Sequence, residues 1–259
     1  MTIQRFLAPI TGKSAAVSLP DAEKWMQGRT LYGGASALLA YTQATRAFPD
    51  LPPLRAAQIG FVAPIGGDIE LRAEVARQGR SVTQIRSEIH QDGKLALTAF
   101  FLFAEPREPN AVFTAEKPAD FPTRPSENDD AISDKGPIFL RNNFEIRRTQ
   151  DARGPGAPVV RRWARLKDRG NLDPISELVL LGDVLPPGAM RAMQRQGPIS
   201  SINWSFNLLN TNPQTECGWW VSENASQHAD AGYSSERLRL WNSSGEQVID
   251  GLQSVAVFG

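Results

Sequence analysis

Residues 173–185 have the sequence DPISELVLLGDVL, which carries the strongest fold signal in the chain. Asp173 followed by Pro174 indicates a helix start, because aspartate caps the first turn and proline tolerates the first helical position. The pattern predicts a helix over residues 175–185 that ends before Pro186. This helix is apolar on nearly every side, so it must be buried all round. A strongly curved antiparallel sheet would bury it, because such a sheet needs only one apolar face.

Strand-like segments precede and follow this helix in the second half of the chain. Two come before it and four come after it, at residues 142–148, 159–166, 199–208, 219–225, 233–241 and 247–258. The last two segments are joined by Ser244-Gly245, a pair that favours a hairpin turn between antiparallel strands.

The first half of the chain has the same order of elements. Helix-forming residues at 35–47 follow Gly33-Gly34 and end before Pro49. Four strand-like segments separated by turn pairs come next, at residues 54–62, 68–77, 82–90 and 95–104. The repeated order predicts an α+β fold of two modules, each a central helix wrapped by a curved antiparallel sheet.

A proline-rich stretch separates the two halves. Residues 106–137 contain six prolines and show neither the period of a strand nor that of a helix. We interpret this stretch as a linker, which predicts a first module at residues 1–105 and a second at residues 138–259.

The composition excludes several classes of function. The 259 residues carry 28 basic and 28 acidic side chains, and this balance argues against nucleic acid or an anionic membrane as partner. The single cysteine excludes an internal disulfide, and the two histidines exclude a three-histidine zinc site. Residues 1–16 lack the apolar core of a signal peptide, and residues 95–104, the longest apolar run, are too few to cross a bilayer. We therefore expect a cytoplasmic protein with no metal.

Two polar residues stand out against apolar surroundings. Asp183 lies within the predicted apolar helix, where a carboxylate must reach a partner or solvent, be protonated, or be functional. Gln253 shares one face of the last predicted strand with Ile249 and Val255, so its amide is either a satisfied core amide or part of a site. A carboxylate in a nearly dry site can act as a general base, and an amide can orient both a carboxylate and a water molecule.

Two further features are candidate parts of a site. The polar tract over residues 222–228 is either a solvated strand end and loop or the source of a hydroxyl that completes a water site with Asp183 and Gln253. The pair Gly33-Gly34 is either a tight helix entry or a place where a ligand approaches the N–H groups of a helix N-terminus.

Both halves of the sequence resemble the TesB-like (type II) acyl-CoA thioesterases. The first half is similar to that family over residues 28–106, in GRTLYGGASALLA followed by FVAPIGGDIELRAEVARQGRSVTQIRSEIHQDGKLALTAFFLF. The second half is similar in LVLLGDV and in GWWVSENASQHADAGYSSERLRLWNSSGEQVIDGLQSVAV. The resemblance implies a double hotdog, which agrees with the two helix-and-sheet modules predicted above.

The resemblance also implies a site and a reaction. The family hydrolyses acyl-CoA thioesters without a covalent intermediate, and its Asp and Gln positions match Asp183 and Gln253. The family's Thr position falls on Ala225, which has no hydroxyl, so Ser226 next to it is the candidate hydroxyl. From their place at a helix N-terminus, we expect Gly33 and Gly34 to bind substrate, with the Gly34 N–H as candidate donor to the oxyanion.

The resemblance also predicts the binding partner, and the sequence leaves two alternative functions open. The expected partner is an acyl-CoA substrate, and no cofactor is implied because CoA is part of that substrate. Long strands with exposed edges favour a homodimer or homotetramer. The main alternative is a non-catalytic acyl-CoA or acyl-lipid binding protein, which Ala225 favours. A hotdog hydratase is a third reading, which neither histidine supports because both lie outside the predicted helices.

Overall fold

The computed structural model describes residues 3–12, 14–127, 129, 131–149 and 155–258. Its helices are α1 (Ile3–Leu7), α2 (Gly33–Ala47), α3 (Ile138–Asn143) and α4 (Pro174–Leu181), with 3-10 turns at Ala22–Trp25, Ser133–Lys135 and Gly188–Arg191. Its strands are β1 (Ser14–Ser18), β2 (Met26–Gln27), β3 (Thr30–Leu31), β4 (Leu54–Phe61), β5 (Asp68–Gln78), β6 (Val82–Gln91), β7 (Lys94–Ala104), β8 (Phe144–Arg148), β9 (Val159–Leu166), β10 (Ile199–Leu208), β11 (Trp220–Asp230), β12 (Tyr233–Trp241) and β13 (Gln247–Val257).

One long antiparallel sheet runs through both halves of the molecule. Within the described residues, its eleven strands have the order β1-β5-β6-β7-β4-β10-β13-β12-β11-β9-β8. The halves join where β4 pairs with β10, from Asn203 opposite Gly60 to Asn207 opposite Ala56. The predicted turn between β6 and β7 is present, and Asp92 and Gly93 have φ values of 52° and 74°, as a two-residue hairpin turn requires.

The two central helices lie against each other inside this sheet. Leu178, Leu180 and Leu181 of α4 are fully buried, as expected for a helix with no polar face. Gly34 in the first turn of α2 faces the Leu180 carbonyl so closely that a Cβ there would lie 2.2 Å from its oxygen. The prediction of two modules, each a helix covered by an antiparallel sheet, is confirmed.

Two predicted element boundaries are wrong, and both affect the site. Helix α4 ends at Leu181 rather than at residue 185, so Asp183 follows the helix instead of lying inside it. Gly182 follows the helix end directly, and a Cβ there would lie 2.1 Å from the Trp204 ring, so glycine leaves room for this ring. Strand β11 continues to Asp230 rather than ending at residue 225, so the polar tract at 222–228 belongs to a strand.

The proline-rich stretch packs on the outer face of the second half of the sheet. Phe121 meets the Trp163 ring edge-on, with 5.9 Å between ring centroids, and Trp163 donates its indole N–H to the Thr123 carbonyl at 2.9 Å. Arg161 on the same face donates to Asp120 at 2.8 Å and to Glu223 at 2.6 Å. The stretch therefore covers a small apolar cluster that is separate from the main core. Among the described helices, none combines the length and apolarity needed to cross a membrane.

The helix contact at Gly34 gives the first prediction. Gly34→Ala places a methyl group within 2.2–2.3 Å of the Leu180 carbonyl and the Tyr32 hydroxyl, so the helices must separate. Overpacking of this kind costs about 1–3 kcal/mol, and thermal denaturation should show a Tm lower by about 2–10 °C. Gly12→Ala is the matched control, because a Cβ at Gly12 meets nothing within 4 Å. Equal Tm values for the two variants would refute the contact.

Candidate active site

Asp183 lies where the end of α4 meets the start of α2. A Cβ on Gly33 would lie only 2.2 Å from Asp183 Oδ2, so glycine at this position leaves room for the carboxylate. Gly33 is the first residue of α2, and the N-terminus of a helix carries a partial positive charge that favours a nearby carboxylate. The close packing of the two helices therefore brings a carboxylate to a helix N-terminus.

Gln253 connects this carboxylate to a hydroxyl. Its side chain is buried, with 2% exposure, and its amide Nε2 donates to Asp183 Oδ1 at 2.8 Å. The same Nε2 donates to Ser201 Oγ at 2.9 Å. The structure thus brings Asp183 and Gln253 together and adds Ser201, a residue that sequence reasoning missed.

A β-bulge explains why Ser201 was missed. Trp204, Phe206 and Leu208 are the buried positions of β10, and strict alternation from them would turn Ser201 toward the outer face. The pairing of β10 with β13 shifts between Ser201 and Asn203, so Ile202 is an extra residue without its own partner. Such a bulge reverses the side-chain alternation, which puts Ser201 on the inner face with Gln253. Nothing in the sequence pattern marks this bulge.

Ser226 is not brought to this group. Its Oγ lies 2.8 Å from Ser234 Oγ, and Ser234 donates to Glu236 Oε1 at 2.6 Å. Glu236 in turn accepts from the backbone N–H groups of Gly188 and Ala189, at 2.8 and 3.2 Å. Ser226 therefore belongs to a polar chain that holds the 3-10 turn after Asp183, because β11 pairs with β9 and β12 rather than with the strands that carry Ser201 and Gln253.

The polar tract at 222–228 supports the site from behind. Asn224 is fully buried rather than solvated, and its Nδ2 donates to the carbonyls of Leu185 and Pro186 at 3.0 and 3.2 Å. These bonds satisfy the backbone of a segment that has left the helix and has no ladder partner of its own. The segment that follows Asp183 is thereby fixed by β11.

A cavity of about 650 Å³ opens in front of Asp183. Its wall combines Asp183, Ser201 and Gly33 with apolar side chains, among them Phe61, Ile65, Phe139, Val184, Leu185 and Ile199. Gly34, by contrast, is packed against Leu180. Of the two glycines proposed to bind substrate, Gly33 is the one on the cavity wall.

The surroundings of Asp183 change its acidity. Burial raises the pKa of its carboxyl from the ordinary value of 3.8 to about 7, and the hydrogen bond from Gln253 opposes part of this rise. Asp183 is still partly exposed, and it lines the cavity. A carboxylate with a pKa near the working pH suits proton transfer, because both of its protonation states are populated.

The arrangement can hold and activate a water molecule. A carboxylate and a hydroxyl, those of Asp183 and Ser201, line the cavity and are able to hydrogen-bond water, and the buried Gln253 amide connects them. Among the residues that the structure describes, no group of three or more His, Cys, Asp or Glu is positioned to bind a metal ion. The chemistry that these side chains themselves offer is general-base activation of water.

The fold and this group of residues define a double-hotdog protein with a polar site where the two modules meet. Residues 21–104 match the family model of the acyl-CoA thioesterase N-terminal domain, and residues 116–257 match that of the C-terminal domain. The chain therefore belongs to the acyl-CoA thioesterase family.

Solved structures agree with this fold. A hot dog fold protein from Alicyclobacillus acidocaldarius has a TM-score of 0.81 at 18% identity, over 95% of this chain and 92% of its own. The tesB protein of Mycobacterium avium subspecies paratuberculosis has a TM-score of 0.69 at 20% identity, over 90% of each chain. An acyl-CoA thioesterase II from Mycobacterium marinum has a TM-score of 0.69 at 16% identity, over 88% of this chain and 89% of its own. No curated protein sequence matches the chain.

The raised pKa of Asp183 predicts a pH-dependent stability. Because this pKa is higher in the folded state than in the unfolded chain, the carboxyl stabilises the fold fully below about pH 4, and this contribution is lost as the pH rises through about 7. Asp183→Asn removes the ionisable group and keeps the acceptor for Gln253. In thermal denaturation, the Tm of Asp183→Asn minus the Tm of wild type should therefore increase by several degrees from pH 4 to pH 9.

The control for this experiment is Asp50→Asn, which changes an exposed carboxylate. Its Tm difference from wild type should stay constant over the same pH range. A constant difference for Asp183→Asn as well would show that burial does not raise the pKa of Asp183.

Proposed function

We propose that the protein hydrolyses acyl-CoA thioesters by direct attack of a water molecule, without a covalent acyl-enzyme. The observation that carries this proposal is the bridge made by the Gln253 amide, which contacts both Asp183 and Ser201, two residues on the wall of the cavity. Membership of the acyl-CoA thioesterase family supports the same reaction class.

In this mechanism Asp183 acts as the general base. Its carboxylate takes a proton from water, and the oxygen of that water forms a bond to the thioester carbonyl carbon. The tetrahedral intermediate then breaks its C–S bond, and the CoA sulfur leaves with the proton that Asp183 holds. Gln253 and Ser201 orient Asp183 and the water, and their existing hydrogen bonds mean that little rearrangement is needed during reaction.

The first turn of α2 is the candidate site for the developing negative charge. Backbone N–H groups at the start of a helix have no partner within the helix and point toward an anion in front of it. Gly33 lies on the cavity wall and within van der Waals range of Asp183. We therefore assign the oxyanion to this N-terminus through Gly33, in place of Gly34.

The substrate supplies the rest of the chemistry. The apolar side chains of the cavity wall suit an acyl chain, whose burial there is favourable in proportion to its apolar area. CoA enters as part of the substrate, so the proposed reaction uses no separate cofactor.

The binding-protein alternative loses its main support. It rested on Ala225, which lacks the hydroxyl that a water site requires. Ala225 lies on β11, whereas the hydroxyl that contacts Gln253 comes from Ser201 on β10. The absence of a hydroxyl at Ala225 therefore does not argue against activity.

Thiol release from a panel of short, long and aromatic acyl-CoAs tests the proposal. Asp183→Asn should lower kcat by about 100- to 10,000-fold, because it removes the general base. Ser201→Ala should lower kcat by about tenfold, which corresponds to the loss of one hydrogen bond. Calorimetry should show that Asp183→Asn still binds acyl-CoA.

Ser226→Ala is the matched control for Ser201→Ala. It removes the same hydroxyl oxygen, but from β11, a strand that carries neither Ser201 nor Gln253. It should keep kcat close to the wild-type value. A larger loss in Ser226→Ala than in Ser201→Ala would overturn the assignment of Ser201. Wild-type protein that binds every acyl-CoA of the panel and hydrolyses none would favour the binding-protein alternative.

The pKa of Asp183 also predicts the pH dependence of the reaction. Because the base must be ionised, kcat/KM should rise about tenfold per pH unit below pH 7 and level off above it. Initial rates between pH 5 and pH 9 measure this profile. A kcat/KM that is constant over this range would exclude Asp183 as a base with this pKa.

A further inference from the structure

A second cavity, of about 440 Å³, lies beside the first and has an unusual charge distribution. Three arginines line it: Arg148 on β8, Arg162 on β9, and Arg191 in the 3-10 turn that follows Asp183. We call this cavity the arginine pocket. Three positive side chains around one small cavity identify it as a candidate anion site.

The sheet register places two of these arginines face to face. Arg148 lies directly opposite Arg162 in the pairing of β8 with β9. Alternation places Arg162 on the same face as the buried Val160 and Arg148 on the same face as the buried Ile146. Like charges directly opposite each other destabilise a strand pair, so an anion between Arg148 and Arg162 would stabilise this arrangement.

The described residues do not supply that anion to the pair. In the part of the chain that the structure describes, neither Arg148 nor Arg162 makes an ion pair with a carboxylate, and Arg162 donates to the Arg161 carbonyl at 2.6 Å. Burial, together with the charges of Arg148 and Arg191, lowers the pKa of Arg162 to about 10. Arg162 therefore remains cationic at neutral pH, and its charge is concentrated with that of its neighbours.

The third arginine is held in place by the backbone. Arg191 Nη1 donates to the carbonyl of Val159 at 2.9 Å, and Val159 is the first residue of β9, the strand that carries Arg162. A guanidinium that is held in this way keeps its positive charge at a fixed place. The positive charge on this side of the pocket is therefore positioned before an anion binds.

Apart from Ser133 and Gln196, the other side chains of the pocket are apolar, and this limits which chemical classes of ligand fit it. Its other side chains include Ile132, Leu140, Ile146, Val160, Leu185 and Met190. A strongly hydrated inorganic anion gains nothing from such a wall, whereas an apolar chain that ends in a carboxylate satisfies both parts of the pocket.

The pocket also adjoins the cavity of Asp183. Leu140, Leu185, Pro186 and Met190 line both cavities, so the two cavities meet at these residues. An acyl chain that extends past them from the Asp183 cavity reaches the arginines.

We propose that the arginine pocket binds the carboxylate group of an apolar chain. Two kinds of molecule carry such a carboxylate. One is a free aliphatic carboxylic acid, and the other is an acyl group whose thioester lies at Asp183 and whose far end is the carboxylate. The second source rests on the proposed thioesterase function, whereas the first is independent of it.

Calorimetric titration with decanoate and with decanol tests the pocket itself. Arg162→Met keeps the length and apolar stem of the side chain and removes its charge. It should weaken decanoate binding by at least about tenfold, as expected for the loss of a charge-assisted hydrogen bond, and leave decanol binding unchanged. Arg237→Met is the control, because Arg237 is paired with Asp250 outside the pocket, and it should bind decanoate as the wild type does.

A kinetic comparison separates the two sources. The measurement is kcat/KM for decanoyl-CoA and for the CoA monothioester of decanedioic acid, in wild type and in Arg162→Met. A loss of at least about tenfold for the diacid thioester alone identifies the acyl terminus as the source. Equal kcat/KM values for each thioester in wild type and in Arg162→Met, together with weaker binding of decanoate to Arg162→Met, identify the free acid as the source. Absence of all turnover would refute the proposed function and leave the calorimetric test valid.

Two results would overturn the proposal. The first is decanoate binding that is equal in wild type, Arg162→Met and Arg148→Met, the last being a second variant in case the first fails to fold. The second is weaker binding of free CoA to Arg162→Met with unchanged decanoate binding, because the pocket would then recognise the phosphates of CoA.

Discussion

The contact between the two central helices at Gly34 sets the position of the carboxylate and of the helix N-terminus in the candidate site. A side chain at Gly34 would collide with the Leu180 carbonyl, and one at Gly33 would collide with the Asp183 carboxylate. With two glycines in succession, the start of α2 can meet the end of α4 at backbone distance. The same contact places a carboxylate, a helix N-terminus and the junction between the modules at one point.

A carboxyl group that is buried at this junction must either be stabilised in its ionised form or become protonated. In the surroundings of Asp183, one feature favours each of these forms. Burial raises its pKa to about 7, while the Gln253 amide favours the ionised form. The first turn of α2 adds a partial positive charge on the same side. The balance leaves the group near the midpoint of its titration at neutral pH, which is the condition under which a carboxylate both accepts and returns a proton.

The segment after Asp183 lines both the Asp183 cavity and the arginine pocket. It is fixed from behind by Asn224, which holds the carbonyls of Leu185 and Pro186, and by Glu236, which holds the N–H of Gly188. Leu185 and Pro186 line the Asp183 cavity on one side and the arginine pocket on the other. The second half of the sheet therefore shapes both cavities through a short piece of irregular backbone.

Local patterns in the sequence determined much of this protein. The apolar run at 175–185 and the alternating segments around it predicted two buried helices and their sheets, and the polar exceptions Asp183 and Gln253 marked two members of the candidate site. The third member, Ser201, depended on a bulge at Ile202 and on the pairing of Ser201 with Val255, which is 54 residues further along the chain. The close packing of the Trp204 ring on Gly182 likewise joins segments that are distant in sequence. Periodicity reports which face a side chain takes along one segment, but register shifts and helix ends are set by packing between distant segments, so they were decided by the tertiary structure.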